Sequence, residues 1–190
     1  MEPDYLALPP DLPVPPDDGA ADHLEGSEIP HVRLASTHDR EIDVAQLAQE
    51  RLVAYVYPMT GTPGVALPEG WDDIPGARGC TPQSCSFRDA LGEFEAFGAT
   101  VVGISAQSAA DQREFAAREH IPFALLSDTR LALAREMGLP TFEAGGRTLY
   151  RRLTFVAERG RVVKVFYPVF PPDRNASEVL GWLTGVWSRP

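Results

Sequence analysis

The segment Leu52–Tyr57 constrains the fold more than any other stretch. It reads Leu-Val-Ala-Tyr-Val-Tyr, β-branched and aromatic without a polar break, and Pro58 closes it. An unbroken apolar run of strand length predicts a buried strand, because a sheet open to water on one side would alternate apolar and polar residues. Such a strand needs cover on each face, so the fold turns on whether the surrounding sequence supplies helices.

It does. A short strand is predicted at His31–Leu34, and Asp43 opens a helical turn over Val44–Gln49. A helix is predicted from Cys80–Pro82 to Phe97. Pro82 suits its first turn, Phe87, Leu91, Phe94 and Phe97 recur at spacings of three and four, and Gly98 stops it. The strand Thr100–Ser105 follows, then a helix Ala109–Glu119 capped by Ser108. Phe123–Leu126 reads as a short strand, and Asp128 caps a helix Thr129–Met137 that Gly138 ends. Arg151–Val156 and Val162–Tyr167 read as a hairpin, and Asn175 or Ser177 caps a last helix through Trp182. Strands alternating with helices, then a hairpin and a helix, predict an α/β protein. Its central mixed β-sheet is flanked by helices on both faces, in the order of the thioredoxin-like fold.

Two segments stand apart. Residues 1–28 are rich in Pro, Asp, Glu and Gly, and after Val14 their only large apolar residue is Leu24. They read as an irregular N-terminal arm, packed in part through Tyr5, Leu6 and Leu8, leaving residues 29–190 as the domain. The arm is open to reading as a docking segment or a flexible tail. Residues 59–79 form a long Gly/Pro-rich loop, and a loop of that length inside a compact domain is usually functional or mobile.

The chain of 190 residues suffices for one domain with a core. Its 27 acidic and 17 basic side chains give a net charge of −10, which repels phosphate backbones and argues against nucleic acid as a partner. No apolar run approaches the ~18 residues of a membrane span. The start, Met1-Glu2-Pro3-Asp4, lacks the basic and apolar regions of a secretory signal, so a cytoplasmic location is expected. In that reducing compartment a structural disulfide is disfavoured. Two cysteines alone do not complete a tetrahedral zinc site, and the four histidines show no paired ligand spacing.

Cys80 is predicted where the loop becomes a helix. A helix start presents unpaired N–H groups and the positive end of the dipole, a setting that favours thiolate over thiol. Cys85 follows five residues later. On one intact helix the rise between them is ~7.5 Å, beyond what a disulfide tolerates between Cα atoms. A Cys80–Cys85 bridge therefore requires the first turn to unwind, over roughly residues 78–87. Thiolate attack on a peroxide gives a sulfenic acid, and a second thiol nearby condenses with it.

The stretch Gly79-Cys80-Thr81-Pro82-Gln83-Ser84-Cys85-Ser86-Phe87-Arg88-Asp89 closely resembles the active-site helix of peroxiredoxins of the Q type, also called bacterioferritin comigratory proteins, which reads GCT-x-x-x-C-x-x-RD. Upstream, Tyr57-Pro58-Met59-Thr60-Gly61-Thr62-Pro63-Gly64 resembles the family's Y-P-x-x-x-T-P-G. Downstream, Arg152-Leu153-Thr154-Phe155-Val156 resembles its R-x-T/S-F-[LV] strand. The resemblance runs from Glu28 to Trp182. It implies a thiol peroxidase acting on hydrogen peroxide and organic hydroperoxides, with Cys80 as nucleophile and Cys85 as the resolving thiol. Arg152 would hold the thiolate and the peroxide, Thr62 would orient the peroxide, and Pro58 would screen the sulfur from water. No metal, haem or flavin is implied. The reductant implied is thioredoxin or a similar dithiol, and the state a monomer or weak homodimer.

There is one departure. In the family a cysteine follows the threonine by three residues, and here Val65 stands in that place, with fifteen residues, 65–79, before Cys80. Either this insert bulges and Thr62 still reaches the sulfur, or Thr60 or Thr81 replaces it. The insert, with Trp71, Asp72, Asp73 and Arg78, is expected to cover the pocket and limit the size of the peroxide. Two other readings remain open: a thioredoxin-like disulfide reductase, suggested by Leu139-Pro140-Thr141, and a redox sensor without turnover.

Overall fold

The structure, a computed structural model, describes residues 7–187. Among the described residues, nine strands form two sheets. They are β1 (Arg33–Ser36), β2 (Glu41–Asp43), β3 (Arg51–Val56), β4 (Ala99–Ser105), β5 (Leu125–Ser127), β6 (Thr141–Ala144), β7 (Arg147–Tyr150), β8 (Leu153–Glu158) and β9 (Arg161–Phe166). Seven of them make one sheet in the order β2-β1-β5-β4-β3-β8-β9, while β6 and β7 pair as a separate hairpin. The pairs β3·β4 and β4·β5 are parallel, and β8 runs antiparallel to β3. The sheet is therefore mixed, with β3 near its middle.

Side chains along β3 alternate between two cores, as strand geometry requires. Val53, Tyr55 and, just beyond the strand, Tyr57 join Phe87, Phe94, Phe115 and Val179 on one face. Leu52, Ala54 and Val56 join Leu34, Ile104, Leu126, Leu133 and Phe155 on the other. The first face carries α2 (Cys80–Asp89), α3 (Leu91–Ala96), α4 (Ala109–Arg118) and α6 (Asn175–Trp187). The second carries α1 (Val44–Leu47) and α5 (Ala132–Met137). This is the two-sided cover that the apolar run of β3 demanded. Gly103 of β4 fits the same logic, since a Cβ there would meet the Tyr55 ring and Leu125 at 2.7 Å.

Some expected elements differ. The helix expected from Cys80 to Phe97 is two helices, broken at Ala90, whose φ of −97° and ψ of 5° leave helical geometry. The apolar stripe continues across the break because Phe87 and Phe94 stack at 5.4 Å. Asp128 does serve the next helix, but from further back: its carboxylate accepts from the Ala132 and Leu133 amides at 2.7 and 2.9 Å. Residues 129–131 are consequently a turn, and Leu131 sits at φ 52°. Arg151 and Arg152 precede β8 instead of opening it. The β6–β7 hairpin was not expected, although Gly145-Gly146, both at positive φ between two short apolar-polar runs, is a hairpin turn signal.

The arm and the insert both pack. Of the arm residues expected to make contact, Tyr5 and Leu6 lie outside the described residues. Leu8 rests over Gly79. Leu24 is fully buried, and Gly26 and Ile29 donate to the Val162 and Gly160 carbonyls, covering the edge of β9. The insert turns through a short 3₁₀ helix, Trp71–Asp73. Trp71 and Ala77 join Ala144 and Leu149 in a small third core, so the insert folds against the β6–β7 hairpin. Among the described residues, no helix is long and apolar enough to cross a membrane.

Candidate active site

The topology brings together the two ends that matter. Because β8 is antiparallel to β3, Leu153 pairs with Val56, the last residue of β3. Arg152, one residue earlier, thus lies at the edge of the sheet where β3 ends and the loop toward α2 begins. Cys80 is the first residue of α2 and is 3% exposed. Gly79 before it has φ 102°, a left-handed conformation. A Cβ at that position would meet Pro172 at 2.4 Å and Leu8 at 2.7 Å, so both the backbone and the space require glycine.

Arg152 is 3% exposed, and its Nη2 donates to the Cys80 sulfur at 3.2 Å. The same nitrogen lies within 3.1–3.2 Å of the carbonyl oxygens of Gly76, Ala77 and Arg78. Nη1 donates to Gln83 Oε1, while Nε is buried and has no hydrogen-bond partner among the described residues. Among the described residues, the partners of this guanidinium are carbonyls, an amide and a sulfur, and no carboxylate. A buried positive charge left without a fixed counterion is costly unless an anion joins it. An anionic sulfur at Cys80 would supply that partner.

Behind the arginine runs a buried polar chain. Gln83 Nε2 donates to Asn175 Oδ1 at 2.9 Å, and Thr154 Oγ1 donates to the same oxygen at 2.6 Å. Since Arg152 can only donate, Gln83 must turn its oxygen toward the guanidinium and its amide toward Asn175. Gln83, Asn175 and Thr154 are all fully buried. Sequence reasoning missed the roles of Gln83 and Asn175. A signal was present: Gln83 lies between Cys80 and Phe87 at helical spacings of three and four, on the stripe that faces the core, and Asn175 precedes Val179 and Leu183 in the same way.

Cys85 has a different setting. It is 9% exposed, and its thiol donates to Glu119 Oε2 at 3.9 Å. Burial pushes this thiol up from its ordinary pKa. Glu119 and Asp89 push the same way, against Arg88, which lowers it. Both cysteines are free. They sit on one unbroken helix, the arrangement in which a bridge is out of reach until the first turn opens.

Cys80 and Arg152 thus meet at one helix start, and Cys85 lies five residues along the same helix. Pro58 is buried and its carbonyl accepts from Ser105 Oγ at 2.9 Å. Thr62 is half-buried beside Gly61, whose carbonyl accepts from Arg118 at 3.0 Å, toward the Cys85 end of the helix. Thr60 is buried and bonded to Gln107, and Thr81 is buried in the first turn of α2. Three residues before Cys80 stands Ala77, fully buried, with its carbonyl 3.7 Å from the sulfur.

The Redoxin family profile matches residues 24–180. Among curated proteins, the chloroplastic peroxiredoxin Q of Oryza sativa subsp. japonica is 33% identical over 157 residues, which is 82% of this chain and 64% of that protein. The chain therefore spans less than two thirds of the rice relative's length. The chloroplastic peroxiredoxin Q of Gentiana triflora is 30% identical over 184 residues, 94% of this chain and 77% of that one. Among solved structures, peroxidoxin BcpB from Mycobacterium tuberculosis aligns with a TM-score of 0.68 at 25% identity, over 86% of this chain and 97% of that chain.

Proposed function

The chain belongs to the redoxin family, as a peroxiredoxin of the Q type, and we propose from this that it is a thiol peroxidase whose nucleophile is Cys80. The observation that carries the reading is the 3.2 Å contact between the Cys80 sulfur at a helix start and a buried guanidinium without a carboxylate partner. The sulfur's electron pair attacks the terminal oxygen of the hydroperoxide. The S–O bond forms as the O–O bond breaks, the departing alkoxide or hydroxide takes up a proton, and the sulfur becomes a sulfenic acid. Arg152 donates to the anion before attack and to the peroxide oxygens during it.

Resolution falls to Cys85 in this reading. Its thiolate attacks the sulfenic sulfur, the S–S bond forms, and the hydroxyl leaves as water with the proton Cys85 gives up. Because burial holds that thiol protonated in the folded helix, unwinding the first turn both shortens the distance and returns the thiol to water. An external dithiol of the thioredoxin type then reduces the bridge. We place the protein in the cytoplasm, as a monomer or weak homodimer. Pro58 and Thr62 take a supporting part in this scheme, Pro58 with its carbonyl on Ser105 and Thr62 beside the Gly61 carbonyl that Arg118 holds.

The test is intact-mass measurement after one equivalent of hydrogen peroxide. Wild type should lose a pair of hydrogens, Cys85→Ser should gain one oxygen, and Cys80→Ser should not change. Oxygen gained by Cys80→Ser would sink the assignment of the nucleophile.

A further inference from the structure

The buried polar chain behind Arg152 runs in one direction. Gln83 gives Oε1 to the guanidinium, so only Nε2 is left for Asn175. Asn175 must answer with Oδ1, which takes a 2.9 Å bond from Gln83 and a 2.6 Å bond from the Thr154 hydroxyl. One oxygen thus ties α2, β8 and the first residue of α6 together. Two buried side-chain nitrogens have no hydrogen-bond partner among the described residues, Arg152 Nε and Asn175 Nδ2, and they sit at the two ends of this chain. The second is informative. A carboxylate in place of the Asn175 amide would accept the same two bonds and bury no idle donor. It would also set a negative charge one amide away from Arg152, in competition with the Cys80 sulfur. The neutral oxygen orients Gln83 without that competition.

We propose that Asn175 is a positioning residue for Cys80: its Oδ1 holds Gln83 in the one amide orientation that presents an oxygen to Arg152, and so keeps the guanidinium on the sulfur. Without that oxygen Gln83 is free to turn its Nε2 toward Arg152, donor against donor. The consequence for turnover rests on the peroxidase reading above, while the effect on the sulfur stands apart from it. The stretch that opens α6 touches the Cys80 turn a second time, through Pro172 against Gly79. Other ionisable groups near Cys80 stay as they are in the variants below. Tyr55 and Tyr57 of the β3 end are fully buried, and burial pushes both phenols up from their ordinary pKa, so they remain neutral. On the insert Arg78 pairs with Asp72, and Arg151 faces Asp18 of the arm. Cys85, Arg88 and Asp89 lie further along α2, with Glu119 after α4 beside Cys85. Asp173, Arg174 and Glu178 flank Asn175 and are exposed.

The experiment titrates the Cys80 thiolate by its ultraviolet absorbance in a Cys85→Ser background, where one thiol remains. Asn175→Ala removes the accepting oxygen, and Asn175→Asp keeps it but adds charge. Each should raise the midpoint of the Cys80 titration by about one pH unit, which is about tenfold less thiolate at a fixed pH below it. Asn175→Asp should melt nearer to the parent than Asn175→Ala, because both accepted bonds remain, and it carries the test if Asn175→Ala does not fold. In a Gln83→Ala background Asn175→Ala should add no further shift, since it acts through Gln83. A midpoint unmoved in either variant, with only the melting temperature lowered, overturns the proposal, because a purely structural asparagine behaves in that way. Additive shifts for Gln83→Ala and Asn175→Ala overturn it as well. Midpoints that move as expected in a protein that consumes no peroxide support the positioning role and sink only the peroxidase reading.

Discussion

The start and the middle of α2 hold the same side chain in different surroundings. At Cys80 the sulfur faces a guanidinium that meets no carboxylate among the described residues, and Gly79 is hemmed in by Leu8 and Pro172. At Cys85 the thiol faces Glu119 and is pushed toward its protonated form by burial and by two carboxylates. A helix of ten residues thus carries one sulfur against a buried guanidinium and another set between Arg88 and two carboxylates, where burial outweighs the charges. In the proposed reading, nucleophile and resolver differ by the surroundings each sulfur meets in the tertiary structure, since the residue type is identical.

The largest effect should come from exchanging the roles. Cys80→Ser should bring peroxide turnover down to the uncatalysed rate, while Cys85→Ser should give one fast oxidation and then stall unless an external thiol is supplied. Stopped-flow peroxide consumption separates these. Arg152→Ala removes the positive partner of Cys80 alone. The rate constant for oxidation by hydrogen peroxide should fall by about 10²-fold or more, the usual cost of losing one aimed donor, while alkylation of Cys85 in a Cys80→Ser background should keep its pH profile. Equal effects at both cysteines would erase the distinction.

Gly79→Ala attacks the frame of the Cys80 end. The positive φ and the contacts with Pro172 and Leu8 should together cost roughly 2 kcal/mol of unfolding free energy, measurable by urea denaturation, with Cys80 oxidation slowed as well. The smallest effect is expected from Glu119→Gln. Removing a carboxylate that raises the Cys85 pKa should shift the alkylation profile of Cys85 to lower pH. The sign of the stability effect follows from the same shift. In the folded chain Cys85 keeps its proton to higher pH than it does unfolded, so its contribution is intact below the ordinary thiol range and is lost as pH rises through the raised folded value. Cys85→Ser should flatten that part of the alkaline slope in thermal melts.

The sheet was legible because its strands are long apolar runs and its caps are local. Ser108 does cap α4, accepting from the Asp111 amide at 3.1 Å. The pairing of Cys80 with Arg152 came from a motif resemblance, and the antiparallel register of β8 on β3 is its physical cause. What stayed hidden depends on contacts between distant segments. Nothing near Trp71 says that the insert folds onto β6 and β7. Nor does the arm's composition say that Leu24 is buried in the core or that Pro15 and Pro16 reach the insert. Gln83 and Asn175 were missed for another reason: their spacing put them on the core-facing stripe, but the polar partners that justify burying them lie on other elements.

Tyr55 lies flat on Phe87 at 4.6 Å, Phe87 stacks on Phe94 in turn, and the Tyr55 hydroxyl donates to Ser84. This ladder of rings acts as a stop for any fraying that starts at Gly79. In the proposed cycle, unwinding that begins at Gly79 would reach this stack of rings last, and the strand beneath it would keep its partners.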